Sequence, residues 1–208
     1  MKIVLASSSK TRQRLLDEAH IPYILTTHAF DERSIDDNAT APAEFAQFLA
    51  EQKAAHAILP ATTRQESKTL VIGADTIVYR ADGRIFHKPQ SYDEAVHMLI
   101  QYNQSTVLVT TGLAGIIYNH ANAKKQLIVS SQTTTKFQLS LSPDFIVQYL
   151  DVYQNDYQHV AGGLIIEGFG AQCVVSIEGS YTSALGLPME KIRKLITQCL
   201  NIRSTTDE

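Results

Sequence analysis

Hydrophobic and polar positions along the chain form short blocks that predict both strands and helices. A mostly apolar run at residues 2–6 predicts a strand buried on both faces, and residues 10–19 follow it with apolar positions at helical spacing. A second apolar run at 70–74 continues through 77–79 as a longer strand. A strand, a polar loop and a helix in this order are typical of an α/β fold.

The remaining blocks add segments of both kinds. Further helices are predicted at residues 42–59, 92–102, 143–152 and 188–200, and further strands at 21–27, 84–86, 106–118, 127–140 and 171–177. The polar residues 31–38 and 60–68 are predicted loops, and Asp82-Gly83 predicts a hairpin turn. Because strands and helices do not alternate strictly, we expect a mixed β-sheet flanked by helices.

Composition narrows the class of protein. The 208 residues are 44% hydrophobic, which is enough for one sizeable core, so we expect a single domain over residues 1–208. The formal net charge of −3 gives no overall attraction to nucleic acid or to anionic membranes. An anionic ligand would therefore depend on local positive charge.

Cysteine content and hydropathy indicate the cellular compartment in which the protein is expected. Cys173 and Cys199 both lie in apolar segments, which favours two reduced, buried thiols over a disulfide. The N-terminal apolar run is shorter than the roughly 7–15 residues of a signal-peptide core, and no run approaches the ~18 apolar residues of a membrane span. We expect a cytoplasmic protein.

The first polar cluster lies between the first strand and the first helix. It reads Ser7-Ser8-Ser9-Lys10-Thr11-Arg12, so hydroxyl and backbone N–H groups meet at a helix N-terminus that favours an anion. Arg12 lies one turn before Leu15 and Leu16, and we expect it to face inward and bind phosphate. Arg14 is rotated away and is predicted to face solvent. A plain capped helix with a surface arginine is the alternative.

Asp75 and Thr76 form the second cluster, directly after the apolar run at 70–74. A carboxylate inside a buried strand is costly unless it is paired or bound to a metal, so this position invites a functional interpretation. An aspartate with a divalent metal can neutralise developing charge and deprotonate water, as hydrolysis of a phosphoanhydride requires. The alternative is an aspartate at a strand bend that is bonded to nearby backbone N–H groups.

Three weaker candidates are Lys88, Lys53 and Glu32. Lys88 leaves the predicted hairpin in a direction that Pro89 fixes, although most exposed lysines are simply solvated. Glu32 is a candidate second metal carboxylate in a loop. Lys53 continues the apolar flank of Phe45, Phe48 and Leu49 on its predicted helix, which would aim it inward. The alternative is a lysine whose stem packs on the apolar surface while its charge reaches water. The histidines show no zinc-binding spacing, and no G-x-S-x-G motif of an acyl hydrolase occurs.

These clusters, taken in order, resemble the Maf family of nucleoside triphosphate pyrophosphatases. The resemblance covers nearly the whole chain. Its matching segments are Leu5-Ala6-Ser7-Ser8-Ser9 with Arg12, Leu15 and Leu16; Asp31-Glu32; Ala50-Glu51-Gln52-Lys53-Ala54; Val71-Ile72-Gly73-Ala74-Asp75-Thr76; Lys88-Pro89 with Glu94-Ala95 and Met98-Leu99; Thr111-Gly112; Ala161-Gly162; Glu167-Gly168 with Gly170; Gly179-Ser180-Tyr181; and Gly186-Leu187-Pro188.

The resemblance implies a fold, a reaction and a set of site residues. The fold is an elongated mixed α/β structure with two lobes and a central cleft. In the reaction water attacks the α-phosphorus of a nucleoside triphosphate and releases pyrophosphate. Asp75 would accept the proton and, with Glu32, bind Mg²⁺ or Mn²⁺. The residues that would hold the triphosphate are Ser7, Ser9, Arg12, Lys53 and Lys88. A homodimer, and a role in removing non-standard nucleotides or in cell-division arrest, are also implied.

Base specificity is the point at which this sequence departs from the family. One subgroup has Arg, Thr and Gln at three positions and prefers dTTP and UTP, while another has a bulky residue, Gln and Glu and prefers 7-methyl-GTP. This chain has Thr11, Thr76 and Glu167, and Lys10-Thr11 replace the usual Pro-Arg. Because a carboxylate only accepts hydrogen bonds, Glu167 predicts a guanine-type or modified base, whose edge presents paired N–H donors.

Two other functions remain open from the sequence. A non-catalytic nucleotide sensor that regulates cell division would bind the same ligand without turnover. A general α/β phosphohydrolase would release free phosphate from another phosphate ester. The sequence favours the pyrophosphatase because Asp75, Lys53 and Lys88 occur together.

Overall fold

The computed structural model describes residues 1–32, 35, 40–103, 106–154 and 156–204, with side chains as far as residue 200. Much of the predicted loop at 31–38 therefore lies outside the described residues. One seven-stranded sheet runs through the chain in the order β2-β1-β3-β5-β6-β7, and β4 pairs with β3. Its strands are β1 (Lys2–Ala6), β2 (Ile24–Thr26), β3 (Lys68–Arg80), β4 (Ile85–Phe86), β5 (Val107–Asn119), β6 (Lys124–Leu139) and β7 (Val174–Glu178).

The sheet is mixed, as the sequence predicts. β1 lies parallel to both β2 and β3, whereas β3, β5, β6 and β7 follow one another in antiparallel pairs, and β4 is antiparallel to β3. The helices are α1 (Lys10–Glu18), α2 (Pro42–Ala55), α3 (Tyr92–Tyr102), α4 (Pro143–Tyr153), the short α5 (Tyr181–Ala184) and α6 (Met189–Ser204). No helix in the described part of the chain is long and apolar enough to cross a membrane.

Serine caps fix the starts of three predicted helices. The Oγ atoms of Ser9, Ser91 and Ser142 each accept a hydrogen bond from the backbone N–H three residues later, at 3.4, 3.2 and 3.1 Å. Such a bond satisfies one of the free N–H groups of a first helical turn. The sequence therefore locates these helix starts correctly, and α3 agrees with its prediction at both ends.

Several predicted boundaries are wrong for identifiable reasons. α2 ends at Ala55 instead of 59, because the next residues leave the helix to pair with 27–29, where Ala29 N–H donates to His56 O and Ile58 N–H to Thr27 O. The predicted loop at 60–68 contains a 3-10 helix, Ala61–Gln65. The strand predicted at 171–177 begins only at Val174, because Gly168–Cys173 forms another 3-10 helix.

Two clusters of buried hydrophobic side chains lie toward the two ends of β3. One contains Leu15 and Leu16 of α1 together with Leu70 and Ile72 of β3 and residues of α6. Another contains Val78 from the far end of β3 with residues of α3 and α4. The middle of β3 therefore lies between two packing units.

Gly73 allows α2 to lie directly on this part of the sheet. A Cβ atom at Gly73 would lie 2.3 Å from Ala50 O and 2.6 Å from Ala54 N, which is closer than atoms can approach. α2 presents small residues here, while Phe48, predicted to be part of its apolar stripe, is 38% exposed. Strand residues two apart share a face, so the close approach also brings α2 beside Asp75.

Both cysteines are free and buried, as the sequence predicts. Burial raises the pKa of Cys173 and of Cys199 to about 11, so each thiol stays protonated at neutral pH. Cys173 also donates a hydrogen bond to Gly170 O at 3.1 Å. Both thiols therefore serve packing and are not placed as nucleophiles.

Candidate active site

A gap in the sheet exposes one edge of β3 at Asp75. On this edge β1 pairs with β3 as far as Leu5 opposite Ile72, and β4 pairs only from Phe86 opposite Val78. Within the described chain no strand covers residues 73–77 on this side, although β5 pairs with β3 along its whole length on the other. In this stretch Asp75 and Thr76 are half-buried, so part of each side chain is open to a ligand.

The Ser7–Arg12 segment borders this gap where β1 ends and α1 begins. Ser7 is buried, and its Oγ accepts hydrogen bonds from Ser9 N–H at 3.2 Å and from Arg12 Nη1 at 3.1 Å. Ser9 is the N-cap of α1. Free N–H groups and the helix dipole make this turn attractive to an anion. Thr11, half-buried, lies on the same turn.

Arg12 faces inward, as its spacing predicts, and is only 9% exposed. Besides Ser7, its guanidinium donates from Nε to Gly186 O at 2.7 Å and from Nη2 to Thr76 Oγ1 at 3.0 Å. Burial lowers the pKa of Arg12, and the charges of Asp75 and Glu32 oppose that effect. Arg12 is therefore a buried cation within electrostatic reach of both carboxylates.

Thr76 continues a hydrogen-bonded chain from Arg12 across the sheet. Thr111 Oγ1 donates to Ser183 O at 2.6 Å, which uses its only proton. The 2.9 Å contact between the two threonines is therefore a donation from Thr76 to Thr111. The hydroxyl of Thr76, predicted as a specificity residue, accepts from Arg12 and donates to Thr111, so it fixes Arg12 against β5 and α5.

Position 186 must be glycine for these hydrogen bonds around Arg12 to form. Its φ is +106°, and an added Cβ would lie 3.2 Å from Thr76 Oγ1 and 3.3 Å from Arg12 Nε. Residues with a Cβ rarely adopt this backbone conformation, and the space beside it is filled by site residues. The sequence resemblance includes Gly186, but no role could be assigned to it before its contact with Arg12 was known.

We expect Gly186→Ala to lower both stability and substrate affinity. The strained backbone should cost about 1–3 kcal/mol, and displacement of Arg12 should raise KM for a nucleotide. Gly83→Ala is a matched control, because Gly83 also has positive φ (+88°) but nothing lies within 4 Å of its added Cβ. Thermal melts should show a lower melting temperature in both variants. Steady-state kinetics should show a raised KM in Gly186→Ala alone. Equal KM values in the two variants would contradict this role.

Lys53 joins the two candidate metal carboxylates. Its Nζ lies 2.6 Å from Asp75 Oδ1 and 3.0 Å from Glu32 Oε2. Lys53 is 9% exposed, so its predicted inward orientation is confirmed. Glu32 is more open, with 41% of its side chain exposed, and His28 Nε2 lies 3.5 Å from its Oε1. His28 Nδ1 is buried without a hydrogen-bond partner among the described residues.

The donor set at these carboxylates suits a hard divalent cation that shares its coordination with a ligand. Mg²⁺ commonly binds through one or two carboxylates and completes its shell with water and substrate phosphates. Among the described residues, no group of three or more His, Cys, Asp or Glu side chains could hold a metal. Asp75 and Glu32 offer two carboxylates, and both are paired with Lys53.

Lys88 follows β4 at the border of the same gap. The residue is exposed, and no ion pair within 4 Å joins it to Glu32 or Asp75. Its backbone is held from both sides, because Lys88 O accepts from Gln90 Nε2 at 2.9 Å and Gly162 N–H donates to the preceding His87 O at 3.0 Å. The fold brings together Ser7, Arg12, Lys53 and Asp75, while Lys88 stands apart from their contacts.

Glu167 has a partner that the sequence prediction missed. Its Oε1 accepts a hydrogen bond from Arg14 Nη2, and the two side chains form an ion pair. The two residues are 153 positions apart in the chain. Arg14 is exposed, as predicted, and its guanidinium is also ion-paired. The Arg14 side chain also lies 3.8 Å from Glu18 Oε1.

Three tyrosines fix the glycine-rich segment that carries Glu167. Tyr102 donates to Gly162 O, Tyr149 donates to Gly163 O at 2.9 Å, and Tyr153 donates to Glu167 O at 2.7 Å. Tyr149 also accepts from the backbone N–H of Ile165 at 2.7 Å. Because the backbone is held at both ends of the segment, Glu167 has a defined position.

The fold and the site together have the features of an α/β protein that binds and cleaves a phosphoanhydride. A buried arginine, a helix N-terminus and serine hydroxyls lie beside a pair of carboxylates at an open sheet edge. Comparison with known proteins agrees, because residues 2–199 match the sequence profile described as Maf-like protein. The chain belongs to the Maf-like protein family, and the resemblance found in the sequence is confirmed.

Relatives with named activities cover nearly the whole chain. A dTTP/UTP pyrophosphatase of Symbiobacterium thermophilum is 32% identical over 197 residues, which are 95% of this chain and 93% of the relative. Another dTTP/UTP pyrophosphatase, from Acetivibrio thermocellus, is 35% identical over 199 residues and 94% of each chain. A nucleoside triphosphate pyrophosphatase of Chlamydia muridarum is 30% identical over 197 residues, 95% of this chain and 93% of the relative.

Proposed function

We propose that this protein hydrolyses nucleoside triphosphates of the dTTP and UTP type to the monophosphate and pyrophosphate. The observation that carries the proposal is the ion-paired Lys53–Asp75 group at the open edge of β3, beside the buried Arg12. The names of the Symbiobacterium and Acetivibrio relatives supply the reaction and the substrate type. The gap in the sheet would be the cleft between two lobes.

The triphosphate would lie against the Ser7–Arg12 turn. Arg12 is already held at Gly186, Ser7 and Thr76, so it needs no reordering to present positive charge. Preorganised charge of this kind stabilises a transition state without a reorganisation cost. Lys53, and Lys88 on the other border of the gap, would add charge against the remaining phosphate oxygens.

Asp75 would accept a proton from the attacking water. The water oxygen bonds to the α-phosphorus, the bond from that phosphorus to the bridging oxygen breaks, and pyrophosphate leaves with the bonding electrons. Lys53 donates a hydrogen bond to Asp75 Oδ1 at 2.6 Å and so holds this carboxylate in place. Asp75 and Glu32 would hold Mg²⁺ or Mn²⁺, which supplies positive charge to the phosphate oxygens when bound.

Product analysis tests this function. Purified protein with UTP or dTTP and Mg²⁺ or Mn²⁺ should release one pyrophosphate and one monophosphate per turnover, and EDTA should abolish the release. A phosphohydrolase would give free phosphate, and a nucleotide sensor would bind UTP in calorimetry without any product. Either of those two results would reject the proposal.

A further inference from the structure

We propose that Arg14 is a specificity-determining residue, which acts through its ion pair with Glu167 to make the site prefer uracil and thymine over guanine. The inference rests on the proposed function, and it takes from the family resemblance the position of Glu167 at the base of the bound nucleotide. It assigns to Arg14 a part in substrate choice that a residue facing solvent would not have.

Arg14 and Glu167 come from the two sides of the site. Arg14 lies on α1, two residues after Arg12, and the neighbouring Leu15 and Leu16 belong to the cluster around α1 and α6. Glu167 lies between Ile166 and Phe169, which pack against the cluster around α3 and α4. The pair therefore spans the two packing units on either side of the phosphate-binding turn.

A third residue places the pair beside the other site elements. Burial raises the pKa of Tyr181, the charge of Glu167 adds to the rise, and Arg14 opposes it, so Tyr181 interacts electrostatically with both members of the pair. Tyr181 begins α5, and α5 leads directly to Gly186, whose carbonyl binds Arg12. The ion pair and the buried arginine are thus connected through one short segment.

The hydrogen-bonding character of the pair differs from that of Glu167 alone. A lone carboxylate accepts only, which suits the adjacent N–H donors of guanine. With the guanidinium bound to Oε1, N–H donors and carboxylate oxygens lie side by side. Uracil and thymine present an N–H between two carbonyl oxygens, so they require donor and acceptor together. A glutamine amide offers the same combination.

The pair is exposed enough to meet a ligand and to be removed without unfolding the protein. The side chains of Arg14 and Glu167 are 46% and 27% exposed. Ion pairs at this level of exposure contribute little to stability. The hydrogen bond to Glu167 raises the pKa of Arg14, so the guanidinium is fully charged at neutral pH.

Arg14→Met tests the inference through the ratio of kcat/KM for UTP to that for GTP. We expect this ratio to fall by about tenfold or more, in line with the loss of one charged hydrogen-bonding partner. Arg80→Met is the matched control, because Arg80 also forms an exposed ion pair, with Asp82, in the β3–β4 hairpin. The control should keep the wild-type ratio, and both variants should keep the wild-type melting temperature within a few degrees.

Glu167→Gln separates recognition from a structural effect. The amide carries its own donor and acceptor, so Glu167→Gln should retain the UTP preference, and the double variant Arg14→Met/Glu167→Gln should regain it. An unchanged ratio in Arg14→Met, or no recovery in the double variant, would overturn the inference. Failure of the proposed function would look different, since the wild-type protein would then release no pyrophosphate from any nucleotide.

Discussion

Asp75→Asn is expected to reduce kcat for pyrophosphate release by about 10²–10⁴-fold, the usual contribution of a general base. The amide cannot take a proton from water, and it also loses the negative charge that would attract a divalent cation. Asparagine has nearly the same shape and can still accept the hydrogen bond that Lys53 donates at 2.6 Å. The variant should therefore fold normally and lose chemistry more than binding.

Calorimetry with a non-hydrolysable UTP analogue and steady-state kinetics would check both halves of this expectation. Asp151→Asn, at an exposed position near the end of α4, is a matched control for the change of one carboxylate to an amide. It should leave kcat and nucleotide affinity unchanged. If Asp75→Asn turned over UTP at the wild-type rate, Asp75 would have no role in proton transfer.

The sequence predicts the part of the site that short-range patterns determine. Arg12 and Lys53 follow the apolar positions of their helices, so their inward orientation could be predicted from spacing. Asp75 stands out because a carboxylate interrupts an apolar strand. Serine caps also locate the helix starts from short-range sequence, because the donor and the acceptor of each cap are only three residues apart.

The rest of the site depends on contacts between distant segments. The gap beside β3 exists because β1 ends opposite Ile72 and β4 begins opposite Val78, and neither register is visible in local sequence. The Arg14–Glu167 pair joins residues 153 positions apart. The guanine prediction considered Glu167 alone, without the guanidinium that lies against it.

Arg12→Lys is expected to have the second-largest effect, lowering kcat/KM by about 10²-fold. The three nitrogens of the planar Arg12 guanidinium donate to Gly186 O, Ser7 Oγ and Thr76 Oγ1. A lysine ammonium is a point charge on a flexible stem and cannot reproduce that planar fork. At least one buried acceptor should then lose its partner, which costs about 1–3 kcal/mol.

The Arg12→Lys variant keeps the positive charge and removes the planar hydrogen-bonding group, so it distinguishes the effect of the positioned guanidinium from that of charge alone. Arg193→Lys, at an exposed position on α6, makes the same substitution outside the site and should leave kinetics and melting temperature unchanged. In Arg12→Lys we expect the melting temperature to fall by several degrees and KM for UTP to rise. Full activity in a stable Arg12→Lys variant would show that the charge suffices. If the charge sufficed, the contacts at Gly186 and Thr76 would serve only to hold α1 and α5 together.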